Sequence, residues 1–270
     1  MPQQVSSLEL SRLGTLVWFL KRPGLYRQMF RTLRSRWHAS RNDEANRDLA
    51  GQWCRARAVE TSAAIRALTG DDLTKPCSQK FADELAVAAR RASSCPVRMG
   101  GPANLDLLYA AAEAVGATRL VETGVAYGWS SFALLASAAN RPGARLVSVD
   151  MPYPGYGNEA YVGCVVPPEL RERWTLLHKA DREGLPVALA RFKGTIDLCH
   201  YDSDKSHEGR MFAYRRLWDA LREGGILISD DIGDNMAFAE FADTLSCDVI
   251  VVADGKKFMG MILKRPARAG

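Results

Sequence analysis

Cysteine is sparse in this chain and nowhere spaced for a metal. The six residues, at 54, 77, 95, 164, 199 and 247, form no Cys-x-x-Cys pair and no Cys/His ligand spacing. That excludes a structural zinc site and points to buried free thiols in a reducing compartment. Long hydrophobic runs are missing as well. The apolar stretch at 13–20 is far short of a membrane span. It precedes its basic cluster and has no small-residue cleavage pattern, so it does not read as a secretory signal. A soluble cytoplasmic protein is the expectation. Repeats and low-complexity tracts are absent too, and 270 residues with 47% hydrophobic content suffice for one large α/β domain with an extension.

Acidic charge is missing from one segment. Residues 21–41 hold seven basic side chains and no acidic one. The net charge of +5 is carried by residues 1–60, with 11 Lys/Arg against 5 Asp/Glu, while the rest balances at 25 against 26. Within that stretch Tyr26, Met29, Phe30, Leu33 and Trp37 fall on one helical face, with Arg27, Arg31 and Arg34 between them. Such a helix suits peripheral contact with a membrane surface or a polyanion. It equally suits packing on the body, or on a second copy of the chain in a homodimer, with its arginines solvated. One basic helix without further patches is thin support for nucleic acid, and no nucleic-acid partner is expected.

What the chain does have is an alternation of strand and helix from residue 118 onward. Apolar runs at 119–122, 145–149, 174–178, 195–201 and 225–229 read as strands. Helical patterns fill the gaps near 129–140, 183–192, 207–222 and 235–245. This implies an α/β fold with a parallel sheet covered on both faces. The runs at 248–252 and 258–263 are joined by five residues, too few for a helical crossover, and form an antiparallel hairpin at the sheet edge. Residues 1–98 read as a helical extension and 99–270 as the domain proper.

The first strand leads into Val121-Glu122-Thr123-Gly124-Val125-Ala126-Tyr127-Gly128-Trp129-Ser130-Ser131. Gly124 and Gly128 would let the backbone approach a ligand closely. The dinucleotide pattern Gly-x-Gly-x-x-Gly is not met, and Glu122 would repel a phosphate, so a ligand carrying positive charge fits better. Asp150 closes the second strand, where a carboxylate can accept hydrogen bonds from ribose hydroxyls. Asp181, after the third strand, is placed either to reach a base or to cap a helix.

Two further strand ends carry acids: Asp202 and Asp204 in Tyr201-Asp202-Ser203-Asp204-Lys205, then Asp230 and Asp231. Residues just past the carboxyl ends of neighbouring parallel strands converge on one crevice. Asp202, Asp230 and Asp231 form an all-oxygen set that suits a hard divalent cation such as Mg²⁺. Turn and N-cap roles are the plainer alternative for each of them.

Taken together, the Glu-x-Gly-x-x-x-Gly-x-Ser turn, the acid after strand two and the terminal hairpin resemble class I S-adenosylmethionine-dependent methyltransferases over roughly 100–264. The resemblance implies a doubly wound, seven-stranded Rossmann-like sheet. It implies S-adenosylmethionine contacts at Glu122, Gly124, Tyr127, Gly128, Ser130, Asp150 and Asp181. Asp202 with the Asp230–Asp231 pair is similar to the metal set of Mg²⁺-dependent O-methyltransferases. Catechol-type members carry Asp-x-x-Lys with lysine as the base, which Asp202 and Lys205 match. Antibiotic-sugar members carry Asp-x-Asp with the second acid implicated, which Asp202 and Asp204 match. The base therefore stays open among Asp204, Lys205 and His207. The implied partner is a small hydroxylated acceptor, a sugar or glycosylated metabolite ahead of a catechol. The Asn/Asp-Pro-Pro-Tyr/Phe motif of base-amino methyltransferases is absent.

Overall fold

A computed structural model describes residues 17–26, 29–30, 43–70, 75–151, 158–245 and 247–265. The amino-terminal part runs through α1 (Asp43–Arg55), the short strand β1 (Ala58–Val59), α2 (Thr61–Thr69), α3 (Cys77–Lys80), α4 (Ala82–Ser93) and α5 (Leu105–Ala114). Strand and helix then alternate: β2 (Arg119–Thr123), α6 (Trp129–Ala138), β3 (Arg145–Asp150), α7 (Pro168–Arg171), β4 (Trp174–His178), α8 (Asp181–Ala190), β5 (Ile196–Tyr201), α9 (His207–Ala220) and β6 (Leu221–Ser229). The chain closes with α10 (Ala237–Asp243) and the hairpin β7 (Val249–Asp254) and β8 (Lys257–Leu263).

Among the described residues one eight-stranded sheet forms, in the order β1-β7-β8-β6-β5-β2-β3-β4. All neighbours are parallel except β8, which runs antiparallel to both β6 and β7. The seven expected strands are present, the last two as an antiparallel hairpin, but that hairpin is not the sheet edge because β1 pairs outside it. The eighth, β1, comes from the segment read as helical and pairs parallel with β7 through Ala58 and Val59. Two residues are too few to produce a periodic signal.

Period-two alternation sends Leu120, Leu146, Leu198 and Ile226 to one face, packed with α5 and α6. Val121, Val147, Cys199 and Leu227 go to the other, packed with α8, α9 and α10. Both faces are dry, as a parallel sheet requires. The amino-terminal part shares this core: Ala64 of α2 and Cys77 of α3 sit in the cluster with Leu107 and Leu108. Asn104 caps α5 by accepting from Leu107 N, and its amide donates to Thr61 Oγ1 at 2.7 Å.

Of the basic amphipathic stretch, only 21–26 and 29–30 are described; Arg27, Arg31, Arg34, Leu33 and Trp37 lie outside the described residues. Trp18 and Phe19 just before it are buried against the body. Trp18 Nε1 and Arg22 Nη2 both donate to Glu159 Oε1, at 3.2 and 2.9 Å, and the Arg22 guanidinium stacks on the Trp18 ring. Among the described residues no helix is long and apolar enough to cross a membrane.

Candidate functional site

Main-chain hydrogen bonds carry the sheet one step past its strands. Gly124 N donates to Val149 O at 2.9 Å, Asp202 N to Thr123 O at 2.8 Å, and Asp230 N to Tyr201 O at 2.9 Å. The glycine turn and the two acidic strand ends are thereby pinned side by side at the carboxyl edge of β2, β5 and β6. Register, more than side-chain attraction, makes them converge.

The glycines serve this geometry first. Gly124 has φ +79°, and a Cβ there would sit 2.0 Å from Asp202 O. Gly128 has φ +92° and lies against Gly163 and Val166. Close packing within the chain therefore requires glycine at both positions, apart from any ligand. Tyr127 likewise turns inward: its hydroxyl donates to Val97 O at 3.0 Å and accepts from Met99 N at 3.2 Å. Ser130 is buried at the start of α6. Tyr161, from the segment between β3 and α7 that also carries Tyr153 and Tyr156, packs beside Tyr127, Met99 and Val165. Tyr153 and Tyr156 lie outside the described residues.

Glu122 is fully buried. Its Oε2 accepts from Ser131 Oγ at 2.5 Å and Ser148 Oγ at 2.7 Å, and its Oε1 lies 3.5 Å from His200 Nδ1. Burial works against a charged His200 ring, but the Glu122 carboxylate beside it outweighs that and raises the imidazole pKa. Ser131, Ser148 and His200 were not singled out from the sequence. Strand register would have found two of them, because Ser148 and His200 are the cross-strand partners of Glu122.

Asp150 is half-buried at the end of β3, with Oδ1 accepting from Val125 N at 2.9 Å. Burial pushes its pKa up, against the pull of the Val125 and Ala126 amides. Asp181 opens α8 and accepts a short hydrogen bond from Ser203 Oγ. Burial raises its pKa to about 6. These two carboxylates flank the glycine turn and keep partial exposure, so they fit the ribose and base ends of a nucleoside.

Asp202, Asp230 and Asp231 are brought together as expected, but lysines already sit on them. Lys205 Nζ contacts Asp202 Oδ1 and lies 2.8 Å from Asp231 Oδ2. Lys257 Nζ, from the start of β8, lies 2.8 Å from Asp231 Oδ1. Burial would raise the Asp231 pKa, but the two lysines outweigh it and lower it. Asp230 is nearly buried; burial first, then repulsion from Asp202, pushes it up to about 6. Among the described residues no group of three or more His, Cys, Asp or Glu is arranged to hold a metal ion. With both Asp231 oxygens on ammonium groups, the trio as it stands does not fit Mg²⁺.

The three base candidates separate. Asp204 is exposed, and its Oδ1 accepts from Ser206 N at 2.9 Å at the entry to α9, a turn role. His207 is half-exposed, with Nε2 2.7 Å from Glu240 Oε2 on α10. Lys205 alone sits among the acids. Burial works against its charge, yet attraction from Asp202 and Asp231 raises its pKa.

The fold is the Rossmann-like α/β arrangement shared with structures of S-adenosylmethionine-dependent methyltransferases, and the crevice lies at the carboxyl edge of its parallel strands. A family model described as a methyltransferase domain matches residues 121–232. Among curated proteins, none matches the chain. The cofactor-bound structure of Rv0187 from MTB has a TM-score of 0.57 at 20% identity, covering 71% of this chain and 98% of its own. The O-methyltransferase from Bacillus cereus in complex with SAH has a TM-score of 0.50 at 18% identity, covering 74% and 100%. The O-methyltransferase TomG from Streptomyces achromogenes in complex with SAM has a TM-score of 0.50 at 16% identity, covering 67% and 90%. At these identities the likeness is one of fold.

Proposed function

We propose that this chain is an O-methyltransferase, moving the methyl group of S-adenosylmethionine to a hydroxyl of a small acceptor. Residues 99–270 would form the cofactor-binding domain and 1–98 an extension of it. A sugar or glycosylated metabolite ranks ahead of a catechol, on the Asp-x-Asp pattern followed by the acid pair. The single observation behind the reading is the main-chain register that sets the Gly124 turn beside Asp202 and Asp230, with Lys205 held among the acids. The O-methyltransferases among its structural neighbours give it support from outside the chain.

In this reading Asp150 takes the ribose hydroxyls and Asp181 lies toward the base. Bound there, S-adenosylmethionine supplies an activated methyl on a sulfonium. The chain's part is to orient the acceptor oxygen in line, a contribution of about 7–11 kcal/mol in the best-oriented systems. Lys205, kept cationic by its two acids, stabilises the negative charge that develops on the acceptor oxygen as its methyl bond forms and its proton passes to solvent water.

Two versions differ in how the acids are neutralised. The three carboxylates in sequence favour a divalent cation, while the ammonium groups on Asp231 favour a site balanced by lysine. The second has the geometry behind it and is carried forward. Its test is transfer from methyl-labelled S-adenosylmethionine to a panel of glycosides and catechols, with and without EDTA. O-methylated product formed equally well in EDTA is the expected result. Loss of turnover in EDTA, restored by Mg²⁺, would show that the carboxylates exchange lysine for metal. Methylation only at nitrogen would overturn the reading itself.

A homodimer and a peripheral membrane contact through 21–41 are secondary parts of the proposal, supported by the basic run and by exposed Leu20 and Phe30. Analytical sedimentation, alone and with phosphatidylglycerol vesicles, tests both.

A further inference from the structure

Arg210 is the largest fully buried side chain in the described chain, and no step above uses it. It projects from the first turn of α9 beneath the Asp230–Asp231 turn. Its Nη1 donates to Asp230 O at 3.3 Å and to the Tyr214 hydroxyl at 3.4 Å. Its Nη2 donates to Asp231 O at 2.8 Å. The nearest carboxylate, Asp234, is 3.8 Å from Nη2 and 40% exposed, and Nε has no hydrogen-bond partner.

As a stabilising device this is poor. A guanidinium stripped of water and met mainly by carbonyl dipoles is costly, and an apolar side chain of similar volume is often as stable or better. What Arg210 offers instead is shape. Its planar fork can hold two consecutive carbonyls at once, which a lysine's point charge cannot.

The residue it holds is under strain. Asp231 has φ +52°, a left-handed conformation that side chains other than glycine rarely adopt. In that conformation the Asp231 carbonyl turns back to accept from both Arg210 Nη2 and Asp234 N, the latter at 3.1 Å. Its carboxylate meanwhile faces the crevice, one oxygen on Lys205 and the other on Lys257. Backbone strain at a site persists only where the surroundings over-determine it. Arg210 is the group that does so from behind. The Tyr214 hydroxyl extends the brace to Ser229 Oγ, 2.6 Å away, so the last residue of β6 is tied in as well.

From this geometry we infer that Arg210 is a positioning residue: it locks the Asp230–Asp231 turn by both carbonyls and thereby aims the Asp231 carboxylate at Lys205 and Lys257. The inference rests on the functional reading above only in giving those lysines a role at the acceptor; the lock itself is independent of it.

The experiment uses the full chain labelled with ¹⁵N-lysine. Ammonium resonances of Lys205 and Lys257, assigned with Lys205→Arg and Lys257→Arg, are followed in Arg210→Met and Arg210→Lys, and S-adenosylmethionine affinity is titrated in each. Arg210→Met keeps the volume and loses the fork; Arg210→Lys keeps the charge and can serve one carbonyl. The expected result is that both ammonium resonances shift or broaden away in Arg210→Met and are only partly restored in Arg210→Lys. Cofactor affinity should stay within about twofold of the parent in both variants, because Asp150 and Asp181 are untouched. Unchanged lysine resonances in a folded Arg210→Met would overturn the inference. So would full rescue by Arg210→Lys, which would make charge sufficient. Failure of both variants to fold would make Arg210 a core residue and overturn it too. A parent protein that does not bind S-adenosylmethionine would sink the methyltransferase reading while leaving the lysine resonances to judge Arg210.

Discussion

With Asp202 and Asp231 on its ammonium, Lys205 holds its proton more tightly than a free lysine and is a cation at neutral pH. The sequence allowed it as a base; the proposed function gives it instead the part of stabilising negative charge, which a paired ammonium suits. The acids at two strand ends were legible because Asp after a parallel strand points into a known crevice. Their counter-ions were not legible, since Lys257 arrives from a hairpin beyond Asp231 and Arg210 from the first turn of a helix read only from its overall pattern. Asp181 offers a test at this scale. Burial raises its pKa to about 6 in the folded chain, against 3.8 for a free aspartate. The folded state therefore binds this proton more tightly than the unfolded state. That contribution to stability is full below pH about 4 and is lost as the pH rises to about 6. Asp181→Asn removes the titration. Melting temperatures at pH 4.0 and 7.5 should show the variant gaining on the parent at the higher pH; an equal difference at both would contradict the shift.

Elements were read where burial on both faces leaves continuous apolar runs, as in β2, β3 and β5. The start of β6 was missed. Leu221 follows α9 directly, and Glu223-Gly224-Gly225 looks like a breaker, yet the strand runs through it with Gly224 at φ +72° and a register shift against β5. The starts of three strands are tied by Asp197. Its carboxylate accepts from Thr118 N, Arg119 N, Arg119 Nη2 and Arg222 Nε. Burial alone would raise its pKa, but the hydrogen bonds from Arg119 and its neighbours hold it well below the usual carboxylate range. Both arginines are about a third exposed and can be re-solvated, so the main cost of deleting Asp197 is its lost charge-assisted hydrogen bonds to the Thr118 and Arg119 amides, about 1–3 kcal/mol. Urea unfolding of Asp197→Ala should show a loss of that order with the m-value unchanged. A loss near zero would mean the cluster is solvated and does not clamp the strands.

At the scale of the whole molecule, the described amino-terminal helices are part of the body. They contribute Ala64 and Cys77 to the main core, a strand to the sheet edge, and Trp18 with Arg22 to the contact with Glu159. The sequence marked 1–98 as an extension because its pattern changes at residue 118, but packing between distant segments leaves no local periodicity to read. The chain's central property is the crevice at the carboxyl edge of β2, β3, β5 and β6, built by main-chain register around Gly124. Calorimetric titration of S-adenosylmethionine into the purified full chain, with EDTA present, tests it most directly. Saturable one-site binding that Asp150→Ala weakens and Lys205→Met leaves unchanged is the expected result. No heat of binding to the folded parent, or binding indifferent to Asp150, would contradict the account.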